Sequence, residues 1–300
     1  HVSMASVTFP YRYYWKFLEH KPFGDAKTRS EPKSRVVLVH GWQGSHLVWL
    51  STAEWLQRQG HDVVVLDLLG WGQSNTALLP AEATSPSSEV RCPTTARLGA
   101  PLYASQVRDC VERVGWQDKP IVLAGKSMGA AVCQEYTNRY PHVGKLVLLC
   151  PAGSKEPVRW MLPNIASWLA RLLLGRHRPL QWLRYKVPIL FALPKFFFRC
   201  WSYGRKAKQH LHLLTTTPEY EVHPDTPRRL VHDLGIPTIV FQGKRDWLHH
   251  YTACRYEEVG ARVVHYEKGH LDLCNSCGDW ESSDFLPSDP DIWLLPSDGE

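Results

Sequence analysis

Four short aliphatic runs limit the folds open to this chain: Val36-Val37-Leu38-Val39, Val63-Val64-Val65-Leu66, Ile121-Val122-Leu123-Ala124 and Leu146-Val147-Leu148-Leu149. Runs this short, without polar alternation, suit strands buried on both faces. Helical signals separate them. Ser45 can cap a helix whose end Gly60 marks. Leu102, Val107, Cys110, Val111 and Val114 line one helical face with Gly115 beyond it, and a helix over 129–140 stops at Pro141. Strands alternating with helices imply a sheet covered on both sides. The expected fold class is α/β, a mostly parallel doubly wound sheet.

The pattern breaks after residue 153. Residues 154–234 are rich in Trp, Leu, Phe, Pro and Arg and carry no repeated strand–helix unit. It returns with Thr238-Ile239-Val240-Phe241 and Arg262-Val263-Val264-His265-Tyr266. This order predicts a core in two parts, 35–153 and 235–278, interrupted by an insertion over 154–234. Residues 1–34 are aromatic and basic without a clear period and read as an N-terminal extension. Residues 279–300 hold seven acids and no Lys or Arg, and are expected to form a poorly ordered acidic tail.

A chain of 300 residues with 44% hydrophobic and 21% charged residues can bury a core without disulfides or metals. Several of its eight cysteines sit in apolar stretches, where a thiol behaves as a small hydrophobe. That usage suits a reducing compartment, so the expected location is cytoplasmic or peripheral to a membrane on its reducing side. No leader pattern and no run of about 18 apolar residues is visible, so no transmembrane helix is expected.

The strongest chemical signal is Gly125-Lys126-Ser127-Met128-Gly129, which follows the third aliphatic run and opens a helix. A serine on a tight strand-to-helix turn projects its hydroxyl outward, and flanking glycines let strand and helix approach closely. The helix N-terminus then points at the reaction centre and favours a developing anion. The N–H of Met128, directly after the serine, is the expected first oxyanion donor.

Over roughly residues 35–275 the chain resembles the α/β-hydrolase superfamily. The resemblance rests on the elbow, on Leu38-Val39-His40-Gly41-Trp42, on Asp67-Leu68-Leu69-Gly70-Trp71-Gly72-Gln73-Ser74, and on Gly243-Lys244-Arg245-Asp246. Leu146 to Gly153 looks like the exit into the lid of monoacylglycerol-lipase-like and carbon–carbon-bond-hydrolase-like members. The resemblance implies that the insertion is a largely helical lid. It implies the chain order Ser127, then an acid, then a histidine base. Asp246 follows the strand run at 238–241 and His270 follows the run at 262–266, the positions where the family places acid and base. Asp272 is a weaker rival acid, and His265, His249 and His250 are rival bases. The resemblance also implies a second oxyanion donor from the loop after Gly41, the Trp42 N–H, with His40 bracing that loop.

A serine at the elbow suits acyl transfer to water, whereas epoxide hydrolases and haloalkane dehalogenases of this fold carry aspartate there. The expected substrate is a small-molecule carboxylic ester, lipid-like because the insertion is apolar and aromatic: a monoacylglycerol or a lysophospholipid. Two alternatives stay open, a carbon–carbon-bond hydrolase and a non-catalytic binding protein of the same fold. Between residues 155 and 208 twelve Lys or Arg oppose one acid, Glu156, with aromatics such as Trp160, Trp168, Phe197 and Trp201 interleaved. That pattern reads either as a solvated rim on a packed lid or as a surface for anionic membrane. No nucleic-acid module accompanies the charge. His270, Cys274 and Cys277 have the spacing of three zinc ligands, but a closed site needs four and no second pair stands nearby. Neither metal nor cofactor is expected. After His270 the covering helix usual in the family looks short or missing.

Overall fold

A computed structural model of the chain describes residues 13–20, 31–42, 44–74, 99–152, 222–244, 246, 250–267 and 290–295. These contain seven strands: β1 (Trp15–Leu18), β2 (Arg35–Val39), β3 (Asp62–Leu66), β4 (Ile121–Lys126), β5 (Val143–Leu149), β6 (Thr238–Gly243) and β7 (Arg262–Tyr266). They form one sheet in the order β1-β3-β2-β4-β5-β6-β7. Every pairing is parallel except that of β1 with β3. The aliphatic runs are its centre, with Val36 to Val39, Val63 to Leu66 and Ile121 to Ala124 all fully buried. The α/β, mostly parallel sheet expected from the sequence is the fold.

The chain steps outward from β2 to β3, then returns to the other side of β2 for β4. Helix α1 (Leu50–Arg58) places Trp49, Ala53 and Leu56 against Val36, Leu38, Val122 and Ala124 on one face. Helix α3 (Met128–Arg139) lies on the other face, where Gly125 of β4 touches Gly129 and Cys133. Helix α2 (Ala100–Arg113) packs beside α3. The connections leaving β2 and β4 thus diverge to opposite faces. Open α/β sheets bind ligands at such a divergence, beyond the C-terminal ends of the strands.

Two stretches differ from what composition suggests. Within the N-terminal extension, β1 pairs Trp15 with Leu66 through Leu18 with Val63 as an antiparallel edge. Four residues, two of them exposed, are too few for the alternation of a half-buried strand to stand out. Within the acidic tail, Pro290–Trp293 forms a 3-10 turn whose Ile292 and Trp293 are buried in the core cluster on the α1 face. The expectation of a poorly ordered tail is corrected for 290–295. The acidic average of the segment conceals a local Ile-Trp-Leu-Leu run long enough to dock. This turn covers the sheet where the sequence shows no long final helix.

Ser34 Oγ donates to the Trp293 carbonyl at 2.7 Å, and Lys145 Nζ donates to the carbonyls of Asp291 (2.7 Å) and Leu294 (3.0 Å). Ser34 precedes β2 and Lys145 lies early in β5, so the turn clips the N-terminal edge of the sheet. Residues 153–221, which hold most of the expected lid, lie outside the described residues. Of the span 154–234, residues 222–234 are described. Val222, Thr226 and Leu230 are buried there, and Asn138 of α3 donates to Thr226 Oγ1 at 3.5 Å. Helix α4 (His250–Glu258) packs on β6 and β7, and its Tyr256 hydroxyl donates to Gln134 of α3 at 2.9 Å.

Candidate active site

Ser127 sits between β4 and α3 with φ 51° and ψ −118°, a left-handed backbone that L-residues rarely adopt. Such strain persists only where the surroundings over-determine it. Here the Ser127 N–H donates to the Leu149 carbonyl at 2.9 Å. Its own carbonyl accepts from Ala130 (2.9 Å) and Ala152 (3.1 Å). The glycines allow the close approach. A Cβ on Gly125 would lie 2.5 Å from Cys133 Sγ and run into the Gly129 carbonyl, and one on Gly129 would run into the carbonyls of Val39 and His40. The spacing of the motif is therefore a packing requirement of this turn.

The loop after β2 is pressed against the elbow. A Cβ on Gly41 would stand 2.9 Å from the Lys126 carbonyl and 3.1 Å from Ser127 Cβ. Gly41 and the Met128 N–H, at the start of the 12-residue helix α3, thus flank the serine. Orphan N–H groups of a helix start are donors in search of an acceptor, which suits an oxyanion. The Trp42 ring meets Trp71 edge-on, with centroids 6.1 Å apart.

His40 holds this loop as a neutral imidazole. Its Nε2 accepts the Leu68 N–H at 3.0 Å, so Nδ1 carries the proton and donates to the Gly41 carbonyl at 2.7 Å. Complete burial lowers its pKa from 6.5 to about 4. Asp67, buried at the end of β3, organises the neighbouring loop. Its carboxylate accepts from the N–H of Gln73 (2.6 Å) and from His46, and its carbonyl accepts from Gln106 Nε2 at 2.9 Å. Gly72, at φ +53°, leaves room for that carboxylate.

Asp246 is 3% exposed and follows β6, its N–H donating to the Gly243 carbonyl at 2.9 Å. It stands at the same sheet edge as Ser127, with β5 between their strands. His270, the sequence-predicted base, lies outside the described residues, as do Cys274, Cys277, Asp272 and His249. His265 is exposed within β7, with its Nε2 3.9 Å from the Glu257 carboxylate. The structure brings Ser127, Met128 and Gly41 together and sets Asp246 on the same edge. Among the described residues no group of three or more His, Cys, Asp or Glu is placed to hold a metal.

Sequence reasoning missed the residues that tie these parts together. Gln134 on α3 donates to the Ala152 carbonyl at 3.1 Å, bracing the turn after β5 to the helix behind the serine. Gln106 links α2 to the loop after β3 by accepting the Leu69 N–H at 3.0 Å. Cys150, next to Leu149, is the other described non-glycine residue with positive φ. Buried glutamines and a cysteine carry no spacing signature, so only the fold could single them out.

This sheet, with a strained serine between strand and helix, defines an α/β-hydrolase of the serine type. More narrowly, the chain belongs to the family described as serine aminopeptidase, S33, which matches residues 30–219. It is 28% identical over 167 residues to monoacylglycerol lipase abhd6-B of Xenopus laevis, covering 51% of this chain and 44% of that protein. It is 25% identical over 272 residues to human monoacylglycerol lipase ABHD6, covering 79% of this chain and 72% of that one. The chain thus spans less than half the length of the frog relative. Among solved structures it resembles MGS-M2, an alpha/beta hydrolase enzyme from a Medee basin deep-sea metagenome library, with TM-score 0.58 at 15% identity, covering 87% and 88% of the two chains. That likeness is one of fold.

Proposed function

We propose that the chain hydrolyses a carboxylic ester through an acyl-enzyme on Ser127, with His270 as base and Asp246 as the acid that orients it. The observation that carries this reading is the strained elbow of Ser127, held against Gly41 and opening helix α3. Ser127 Oγ attacks the ester carbonyl as His270 removes its proton. The N–H groups of Met128 and Trp42 receive the oxyanion. The imidazolium then returns the proton to the leaving alkoxide, and water repeats the sequence to release the acid. Asp246 stays ionised and stabilises the imidazolium.

The substrate is a lipid-like ester, a monoacylglycerol or lysophospholipid. The monoacylglycerol lipases among the relatives and the apolar, aromatic residues 154–234 support this choice. Each methylene buried contributes roughly 0.8 kcal/mol, so four more can favour a longer ester by about a hundredfold when the gain persists in the transition state. The basic excess over 155–208 supports peripheral contact with anionic membrane on its reducing side. Cys110, Cys133, Cys150 and Cys254 are free thiols, in keeping with that compartment. No helix among the described residues is long and apolar enough to cross a membrane.

The test is a nitrophenyl ester series from acetate to decanoate, with fluorophosphonate labelling and mapping of the modified residue. Label on Ser127 and a preference for decanoate are expected. A preference for acetate overturns the lipid assignment, and label elsewhere overturns the nucleophile. Sedimentation with anionic vesicles should weaken as salt screens exposed charge; salt-insensitive binding overturns the electrostatic contact alone.

A further inference from the structure

Cys150 follows the last residue of β5 and takes φ 44°. Glycine adopts that backbone freely, whereas a side chain there is strained. The turn is nevertheless fixed from both sides. Cys150 N–H donates to the Phe241 carbonyl of β6 at 2.8 Å, and the neighbouring Leu149 and Ala152 bond the backbone of Ser127. Cys150 therefore stands between the elbow and the strand that delivers Asp246, with its side chain fully buried.

Its sulfur meets three polar partners there. Tyr266, the last residue of β7, has its hydroxyl 3.2 Å from Sγ. The Asp246 carboxylate and the Gly243 backbone amide also hydrogen-bond the thiol. Burial first, and then the Asp246 charge, push the thiol well above its ordinary range, so it stays protonated and can donate. Tyr266 O–H donates to Sγ, and S–H donates to the carboxylate. This chain joins the ends of β5, β6 and β7 through one side chain.

We propose that Cys150 is a positioning residue for the acid, its thiol and Tyr266 together fixing the carboxylate of Asp246 toward the base. The proposal rests on the reading of Asp246 as the acid. It also explains why a strained position holds a side chain where glycine would be relaxed. A carboxylate released from the thiol would turn away from the imidazole and stabilise the imidazolium less.

The decisive variant is Cys150→Gly, which relaxes the backbone and removes the thiol. A merely structural turn predicts a protein at least as stable and fully active. The positioning role predicts an unchanged or higher melting temperature, kcat lowered about tenfold or more with KM nearly unchanged, and an acidic limb of the pH–rate profile moved about half a unit lower. Tyr266→Phe should move both readouts in the same direction by less, and Cys150→Ser should recover most of kcat because a hydroxyl can replace the donor. Asp246→Asn, measured beside these, separates the two levels. If Asp246→Asn is severely impaired while Cys150→Gly keeps wild-type kcat and pH profile, the positioning role is overturned and the acid stands. If Asp246→Asn is fully active, the acid assignment falls and the proposal with it. In the Asp246→Asn background, Cys150→Gly should have no further effect on kcat, and a full additional loss overturns the proposal.

Discussion

The two edges of the sheet are built on opposite terms. At the C-terminal edge, Ser127 and Cys150 take left-handed backbones, glycines are pressed against carbonyls, and Asp246 is buried beside a thiol. At the N-terminal edge, Trp293 fills the core on the α1 face, and Lys145 and Ser34, itself bonded to His61, tie its segment down through ordinary hydrogen bonds. One edge holds strain and reactive groups; the other holds a buried aromatic anchor whose backbone is held by hydrogen bonds. The lesson is that the strained edge depends on a frame secured elsewhere, since strain persists only where the surroundings over-determine it. Changes to Ser127 or Cys150 at the first edge should therefore alter rate with little effect on stability, and loss of the docked Trp293 at the second should do the reverse.

Ser127→Ala tests that contrast with the largest effect. Ester turnover should fall by about four orders of magnitude or more, above about 5 kcal/mol in the barrier, while the urea midpoint stays close to wild type. A large loss of stability would show that the elbow also carries the frame. Trp293→Ala comes next and should destabilise by about 3–5 kcal/mol in urea titration, with kcat per folded molecule unchanged. Trp293→Phe should lose much less, because the indole N–H has no hydrogen-bond partner among the described residues. A kcat that falls in step with stability would mean the edges are coupled.

Acid should weaken both edges by one mechanism. Burial lowers His40 at the C-terminal edge and His61 at the N-terminal edge from 6.5 to about 4. The unfolded chain therefore binds more protons than the folded one between those values. Stability from each histidine is complete above pH 6.5 and is lost as pH falls toward 4, by up to about 1.4 kcal/mol per unit. Urea midpoints measured from pH 7 to 4.5 should fall accordingly, and His61→Gln should flatten the slope. A midpoint independent of pH would contradict the neutral burial of these rings. The smallest effect is expected for Ser34→Ala, about 1 kcal/mol from loss of the donor to the Trp293 carbonyl. A double variant with Trp293→Ala should show less than the sum, since both act on one contact.

The aliphatic runs and the elbow were legible because their causes are local. A strand buried on both faces must be apolar throughout, as at Val36 to Val39, and a tight strand-to-helix turn must have glycine at 125 and 129 to avoid backbone carbonyls. The bracing role expected of His40 follows from its place beside Gly41, and the structure supplies its two bonds. Strand β1 was not legible, because Trp15–Leu18 gains its order from pairing with β3 rather than from its own period. Nor was the docking of Trp293, because the sheet edge that receives it is assembled from residues far away in sequence, with Ser34 separated by 259 positions.

Local sequence thus determined the strands, the helices between them and the nucleophile's turn, since each is dictated by sterics and burial within a few residues. Tertiary structure alone decided which carbonyl steadies Ser127, that Cys150 stands beside Asp246 and Tyr266, and that an acidic tail returns to seal the far edge. Those contacts join chain segments that meet only when the sheet closes its order, and hydrogen bonds of that kind leave no period or spacing in the sequence to be read.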